Sequence, residues 1–345
     1  MTAQTAGSGR RVAGLTAPTR PMVRRLLKFA VAAPSMHNTQ PWRFRYHEAD
    51  QTIELYADPS RTLRHADPAG RAVHIACGAA LFNLRLAIAE SDREPVVRLL
   101  PCPQAPLLLA TVRIAGQYRA HKGERELFAA IHRRHSNRSP FSDRQVPPRV
   151  RAELVEATRL EGAILHFLSQ PAAQAVLDRT AEAALAQRMN PAYRSELAKW
   201  VGGERDRDGI PDSTLGPRAA DGAVPVRDFS LGRPPGQVHY ARFETSPQLA
   251  VLSTRLDNPT DWLRAGQALQ RVLLLATARG IAVGALTQAL ETGDAWLVRD
   301  PASGIEQPQM VLRFGYGPPA RPTPRRPVSD VIDEVLDEVI DDPGL

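Results

Sequence analysis

Cysteine, lysine and long apolar runs are all scarce in this 345-residue chain, and each scarcity excludes a class of protein. The two cysteines, Cys77 and Cys102, form neither a C-x-x-C pair nor a histidine-rich neighbourhood, so we predict no disulfide framework and no metal site. The first twenty residues lack the apolar core of a signal peptide, and the most apolar later stretch (272–286) is short and interrupted by Arg279. We therefore expect a cytoplasmic chain without a membrane partner.

The positive charge of the chain does not by itself indicate a nucleic-acid partner. The last seventeen residues carry seven acidic and no basic side chains, so the rest of the chain has a net charge of +14, against +7 overall. Such a charge attracts nucleic acid or a phosphorylated small molecule. Only three of the 44 basic residues are lysines, aromatic residues make up 6%, and no nucleic-acid motif is present. The motifs of P-loop enzymes, G-x-S-x-G hydrolases and H-E-x-x-H metalloproteases are also missing, so we expect no nucleic acid, kinase or hydrolase function.

Three short segments of the first half recur in the same order in the second half. Each match is weak alone, because alanine and leucine are common, but the shared order predicts a duplicated α+β unit. The matching pairs are 21–30 with 148–157, 78–86 with 266–274, and 111–116 with 311–316.

Each half is predicted to form a helix, a strand, a long buried helix and a strand. Residues 73–89 and 265–280 are apolar nearly all round, which is typical of buried helices, and we expect them to pack together about a pseudo-twofold axis. Residues 329–345 have apolar positions at helical spacing with acids opposite, which predicts an amphipathic helix that docks on its own chain or mediates self-association. The expected regions are a flexible N-terminus (1–20), a first half (21–120), a second half (121–328) and this C-terminal helix.

The second half has about 61 extra residues between its first helix and its long helix. Residues 202–236, hereafter the insertion, contain twelve glycines or prolines in 35 positions, a composition that prevents regular structure through most of the segment. Segments of this kind in compact domains are usually lids, binding loops or disordered linkers. The sequence favours a lid and leaves a disordered insertion as the alternative.

A polar connection joins the first helix of the chain to the strand that follows it. In APSMHNTQPW (33–42), the polar side chains of Ser35, His37, Asn38 and Gln40 lie between two prolines that fix where the chain enters and leaves. A ligand-binding loop is one interpretation, and a turn capped by serine or asparagine is the other. The candidate binding residues are Pro34, Ser35, Met36, His37, Asn38 and Gln40.

A second polar cluster, HRRHSNRSPF (132–141), begins the second half. Arg134, Ser136 and Arg138 alternate, so in an extended segment their side chains leave on one side. Two guanidinium groups and a hydroxyl group suit a phosphate and an adjoining polyol, because arginine binds paired oxygens and serine adds a short neutral bond. The alternative is a solvated, arginine-rich surface.

Together the two clusters resemble those of the FMN-dependent nitroreductase family, in particular its single-chain, internally duplicated Acg-like branch, over roughly residues 20–330. In ordinary members, R-x-S-x-[RK] and A-P-S-x-x-N-x-Q-P-W occur in one chain, and FMN lies between two subunits. Here the first half keeps only the second motif and the second half keeps only the first. The resemblance implies a nitroreductase-like fold in which two degenerate copies form a monomeric pseudo-dimer with one composite FMN site.

The same resemblance adds further contacts and a chemistry. It places Thr287 and Gln288 near the reactive edge of the flavin, and it assigns Arg325 and Arg326 of PRRPV (324–328) to the phosphate. It implies FMN as cofactor, NAD(P)H as transient electron donor and a nitroaromatic or quinone-like molecule as acceptor, with no catalytic side chain of the protein required. The alternative function is a protein that sequesters or stores FMN beneath the closed insertion.

Overall fold

The computed structural model describes residues 17–220, 224–229, 238–292 and 306–334. The predicted flexible N-terminus therefore lies almost wholly outside the described residues. The α-helices are α1 (Arg20–Ala30), α2 (Arg71–Glu90), α3 (Lys122–Ala130), α4 (Pro148–Arg159), α5 (Gln170–Met189), α6 (Pro191–Ala198) and α7 (Pro259–Ala278). The strands are β1 (Trp42–His47), β2 (Thr52–Ala57), β3 (Arg93–Leu99), β4 (Leu108–Gln117), β5 (Ile164–Phe167), β6 (Arg218–Ala219), β7 (Tyr240–Ala241), β8 (Gln248–Thr254), β9 (Ala282–Ala285), β10 (Gln307–Gly315) and β11 (Ile332–Glu334).

The two main sheets share one connectivity. The first has the strand order β11-β1-β2-β4-β3 and the second has the order β5-β8-β10-β9. In the first sheet, the strands before α2 pair with each other (β1 with β2), and β4 lies next to β2 with β3 outside it. In the second sheet, the strands before α7 pair with each other (β5 with β8), and β10 lies next to β8 with β9 outside it. All of these pairs are antiparallel except β1 with β11. The predicted α+β class is confirmed, although each half has one more strand on either side of its long helix than the sequence indicated.

Helix α1 brings the chain to the 33–42 loop in a fixed position. The side chain of Thr19 accepts a hydrogen bond from the Met22 amide at 3.4 Å, which caps the first turn. The apolar residues Val23, Leu26 and Leu27 recur at helical spacing and are fully or almost fully buried in the first core. The polar loop therefore starts from a helix that is anchored along one whole face.

The long helices α2 and α7 cross at two glycines. A Cβ atom on Gly78 would lie 2.3 Å from the carbonyl oxygen of Leu263, and one on Gly266 would lie 2.1 Å from that of Ile75. Only residues without a side chain allow backbones to come so close, and the predicted packing of the two helices is confirmed. Among the described residues, α2 is the one helix long and apolar enough to cross a membrane, but 83% of its most apolar stretch is buried inside the protein.

The prediction of a C-terminal helix is wrong for the described residues. Residues 328–330 form one short turn, and β11 then pairs in parallel with the open edge of β1. Two interactions favour the strand: the Phe44 amide donates to the carbonyl of Val331 at 2.7 Å, and Arg43 pairs with Asp333. Val331 is also fully buried in the first core. Hydrogen bonding to the free edge of β1 and the burial of Val331 therefore favour a strand more than the helical spacing of the apolar residues favours a helix. Residues 335–345 lie outside the described residues.

The extra length of the second half lies between β5 and β8 and includes two helices, α5 and α6, that the sequence analysis missed. The insertion follows them, and its residues 221–223 and 230–236 lie outside the described residues. Its described part has a short turn at Asp212–Thr214 and strand β6, which pairs with β7. Ile210 and Phe229 of the insertion are buried with Tyr193 and Leu197 of α6 in a small separate core.

Candidate functional site

A cleft lies where the two halves meet, beneath the described part of the insertion. Its walls come from the 33–42 loop and α2, from the 136–138 segment, α7, β9 and β10, and from the insertion. The cleft has about 1230 Å³ of space free of atoms, its open mouth included. Seven of the predicted site residues line it: Pro34, Ser35, Met36, His37, Ser136, Arg138 and Thr287.

The loop that enters the cleft has a strained backbone. The φ angles of His37, Asn38 and Gln40 are 50°, 57° and 51°, in the left-handed region that favours glycine. Ser35 holds this conformation, because its hydroxyl oxygen accepts a hydrogen bond from the Gln40 amide at 2.9 Å. Ser35 thus makes the turn contact that the sequence offered as an alternative, and it also lines the cleft. Strain maintained in this way is common at binding sites.

Asn38 and Gln40 bind other segments of the protein. The Asn38 amide group donates to the carbonyl of Gly209 in the insertion and to that of Pro324, both at 2.9 Å. The Gln40 amide group donates to the carbonyl of Arg207 at 2.8 Å and accepts from the Arg326 backbone amide at 2.8 Å. Neither side chain is among the residues that line the cleft. Their described contacts fasten the insertion and the C-terminal segment to the loop.

Two cationic side chains meet behind this loop. Arg134 and Arg325 both donate to the carbonyl oxygen of Ala32, at 3.4 and 3.3 Å. The buried Nε and Nη1 atoms of Arg134 and the buried Nε atom of Arg325 have no hydrogen-bond partner within the described residues. Burial, with a contribution from Arg325, lowers the pKa of Arg134 to about 9, and burial lowers the pKa of Arg325 to about 10. Buried cations with unused donors fit an anion such as a phosphate.

The other member of the basic pair is held differently. The guanidinium group of Arg326 donates to the carbonyl of Asp330 at 2.6 Å and lies 3.7 Å from the carboxylate of Asp58. Its charge is therefore balanced by the protein itself. The role that the family resemblance gives Arg326 remains a prediction, and Arg325 is the member of the pair that lies against Arg134.

Arg138 closes the cleft on the side of the insertion. Its Nη1 atom donates to the carbonyl of Thr214 at 3.0 Å, and its guanidinium carbon lies 5.3 Å from the ring centre of Phe229. Burial, followed by the nearby charge of Arg227, lowers the pKa of Arg138 to about 10. Ser136 is exposed in the same cleft, so Ser136 and Arg138 present a hydroxyl group and a cation to one space.

A buried ion pair attaches the insertion to the second half. The guanidinium group of Arg227 contacts the carboxylate of Glu291 with both terminal nitrogens, and Nη2 donates to the hydroxyl of Thr287 at 3.1 Å. The hydroxyl of Tyr193 is a further partner of Arg227. Gln288 adds a hydrogen bond from its amide group to the carbonyl of Pro225 at 2.9 Å. Thr287 and Gln288 therefore both bind the insertion, and Thr287 also lines the cleft.

Comparison with known proteins places the chain in a family. Residues 131–316 match the family model for the nitroreductase family. A Mycobacterium tuberculosis protein provisionally named NAD(P)H nitroreductase Rv3131 is 34% identical, over 96% of this chain and 97% of its own length. The chain belongs to the nitroreductase family. The provisionally named NAD(P)H nitroreductase acg of the same organism is 30% identical over 92% of this chain and 97% of that protein.

A solved structure described as a nitroreductase from Anabaena variabilis covers 86% of this nitroreductase-family chain and 88% of its own, with a TM-score of 0.48 and 11% identity. Family membership rests on the sequence matches, and it confirms the resemblance that the two motifs indicated. This family is one of oxidoreductases, so the prediction of an enzyme of that class is confirmed with it.

Sequence reasoning missed the partners that hold the insertion. Arg227 was one of several arginines in that segment, and no spacing connects it with Glu291, which is 64 residues away. Phe229, which packs against Arg138, was not singled out either. The only sequence signal was the insertion itself, because a long glycine-rich segment inside one repeat needs specific contacts if it is to stay ordered.

Proposed function

We propose that this nitroreductase-family chain is an FMN-dependent oxidoreductase that uses NAD(P)H to reduce a nitroaromatic or quinone-like acceptor. The observation that carries the proposal is the pair of arginines Arg134 and Arg325: Nε and Nη1 of Arg134 and Nε of Arg325 are buried and have no hydrogen-bond partner within the described residues. Both lie against Ala32, one residue before the 33–42 loop. A phosphate monoester such as that of FMN supplies the negative charge and the acceptor oxygens that this arrangement requires.

The residues present fit the rest of FMN as well. Ser136 and Arg138 would bind its polar groups in the cleft, and Pro34, Ser35 and Met36 would line the same space from the other half. Bound FMN supplies the two-electron chemistry, taking a hydride from NAD(P)H and passing it to the acceptor. The protein binds and orients the ligands, keeps water out beneath the insertion, and provides cationic groups near any charge that develops.

The proposed site is composite. The first half contributes the 33–42 loop, and the second half contributes Arg134, Ser136, Arg138 and the segment that bears Arg325. The shared strand order of the two sheets and the symmetric glycine crossing support two fused copies, with halves at 21–120 and 121–328, acting as a pseudo-dimer with one FMN per monomer. We also propose that the chain is cytoplasmic, as its composition predicts.

A second candidate function follows from the insertion. Its described residues lie over the cleft, and the Arg227–Glu291 pair is almost fully buried, so the insertion has the contacts of a closed lid. If that lid opens rarely, the protein stores FMN and turns over slowly. The expected rate of flavin reduction by NAD(P)H separates the two functions, since an enzyme is reduced rapidly and a storage protein is not.

The first test of the proposal is cofactor content. We expect the purified protein to release one FMN per chain when it is denatured. A ratio near two, or FAD instead of FMN, contradicts a single composite site.

The second test replaces residues 202–236 by a short Gly/Ser linker. We expect NAD(P)H to bleach the flavin at least about tenfold faster in this variant while FMN stays bound. A tenfold change corresponds to a free energy of lid opening of roughly 1.4 kcal/mol.

A further inference from the structure

His37 presents an unused hydrogen-bonding atom to the cleft. The residue is 6% exposed, its side chain lines the cleft, and its Nε2 atom is buried without a hydrogen-bond partner among the described residues. A buried polar atom left unpaired costs roughly 1–3 kcal/mol, so native proteins seldom retain one without a use. A ligand in the cleft would give this atom a partner.

The backbone that carries His37 supports a function of this kind. Its φ angle of 50° lies in the left-handed region, which residues other than glycine adopt uncommonly, although histidine adopts it more often than most. The conformation is held from both sides, by hydrogen bonds from the Asn38 amide to the carbonyl of Ser35 and from the Thr39 amide to that of Met36, each 3.0 Å long. The loop thus maintains strain that places an imidazole at the cleft, where a glycine would fit the backbone more easily.

The surroundings define which kind of partner His37 accepts. The ring of Phe229 from the insertion lies edge-on to the imidazole, with ring centres 6.1 Å apart. Burial and then the charges of Arg227 and Arg138 lower the pKa of His37 well below its usual value, so the ring is neutral at physiological pH. In the tautomer that carries its proton on Nε2, this neutral imidazole is a hydrogen-bond donor suited to an uncharged, oxygen-bearing ligand.

We propose that Nε2 of His37 donates a hydrogen bond to an oxygen of the electron acceptor, a nitro or quinone oxygen, and so helps to select that substrate. The inference rests on the proposed function. It assigns His37 to the acceptor and not to FMN because its ring packs on Phe229 of the insertion, the segment that a second ligand must displace to enter. The arginines assigned to the phosphate lie instead behind the loop, against Ala32.

Two matched variants and two matched ligands test this assignment. His37→Phe keeps an aromatic ring beside Phe229 but removes the nitrogen, and His37→Gln restores an N–H group of similar reach. Each FMN-loaded, oxidised protein is equilibrated without NAD(P)H, so that nothing turns over, with 4-nitrotoluene or with p-xylene, which lacks the nitro oxygens. FMN content, the dissociation constants of both ligands and the melting temperature are measured for every protein.

We expect His37→Phe to weaken 4-nitrotoluene about fivefold, the value of one neutral hydrogen bond, and to leave p-xylene within twofold. His37→Gln should recover most of the loss, and FMN content should not change. An equal effect on both ligands, or no effect on 4-nitrotoluene, overturns the proposal. Loss of FMN in His37→Phe with recovery in His37→Gln also overturns it, because His37 would then bind the cofactor. A wild-type protein that takes up no FMN refutes the proposed function itself.

Discussion

The Arg227–Glu291 pair should control how often the insertion leaves the cleft. In Glu291→Gln, Arg227 loses its counter-ion while it is only 11% exposed, in a pocket where the carboxylate is 1% exposed. Breaking a buried ion pair by removing one partner typically costs about 3–5 kcal/mol, because the remaining charge is left uncompensated. That cost disappears when the insertion lifts and Arg227 reaches water. Taking the lower value, the population of the open state should rise about a hundredfold.

Limited trypsin digestion under native conditions measures this population at Arg227, because its side chain is 11% exposed and cleavage after it requires opening. The matched control is Glu182→Gln on α5, which breaks an exposed pair with Arg179 and should change nothing measurable. We expect faster cleavage in the insertion alone, and faster flavin reduction by NAD(P)H in the same variant. Cleavage of Glu291→Gln at the wild-type rate would show that this pair does not hold the insertion closed.

Three further predictions concern the phosphate site and the helix crossing. Arg134→Met and Arg325→Met should each weaken FMN binding about 10–100-fold in fluorescence titrations, because each removes a hydrogen bond from a charged group. The control Arg133→Met, at an exposed arginine, should leave FMN binding unchanged. Equal losses of affinity in all three variants contradict the site. In the wild type, FMN affinity should fall as pH rises above about 9, because Arg134 loses its proton above its pKa and must take one up again to bind the phosphate. An FMN affinity that stays constant from about pH 8 to 10 refutes this prediction. Gly266→Ala should destabilise the protein by about 3 kcal/mol in urea unfolding, and Gly116→Ala, whose Cβ would contact nothing within 4 Å, serves as its control.

The sequence predicted those parts of the fold that depend on local patterns. Helix α1 and the two long helices follow from apolar spacing and from runs that are apolar all round, and both long helices are buried as expected. The tail was predicted wrongly because Val331 and Ile332 fit a helix and a strand equally well over so few residues. The open edge of β1, which decides between them, lies almost 290 residues away in the sequence, where periodicity gives no information.

Within the candidate site, short motifs predicted loops that the structure brings to one cleft, but not which way each side chain points. Ser35 and His37 line the cleft, whereas Asn38 and Gln40 from the same ten residues bind the insertion and the C-terminal segment. The difference arises from three left-handed residues within four positions, which turn neighbouring side chains in opposite directions. Such a conformation depends on tertiary contacts that span more than 160 residues, so composition and spacing do not reveal it.

The path of the chain after β10 has a consequence for how the protein responds to a ligand. Residues 316–331 leave the second sheet, pass the 33–42 loop with Arg325, and end at β11 on the edge of the first sheet. An anion bound by Arg325 therefore contacts a segment that is connected to both sheets. The free energy of anion binding should consequently also stabilise the pairing of β11 with the first sheet. Loss of that anion and detachment of β11 would then be one coupled event, and the pairing of β11 with β1 would report on whether the site at Arg325 is occupied.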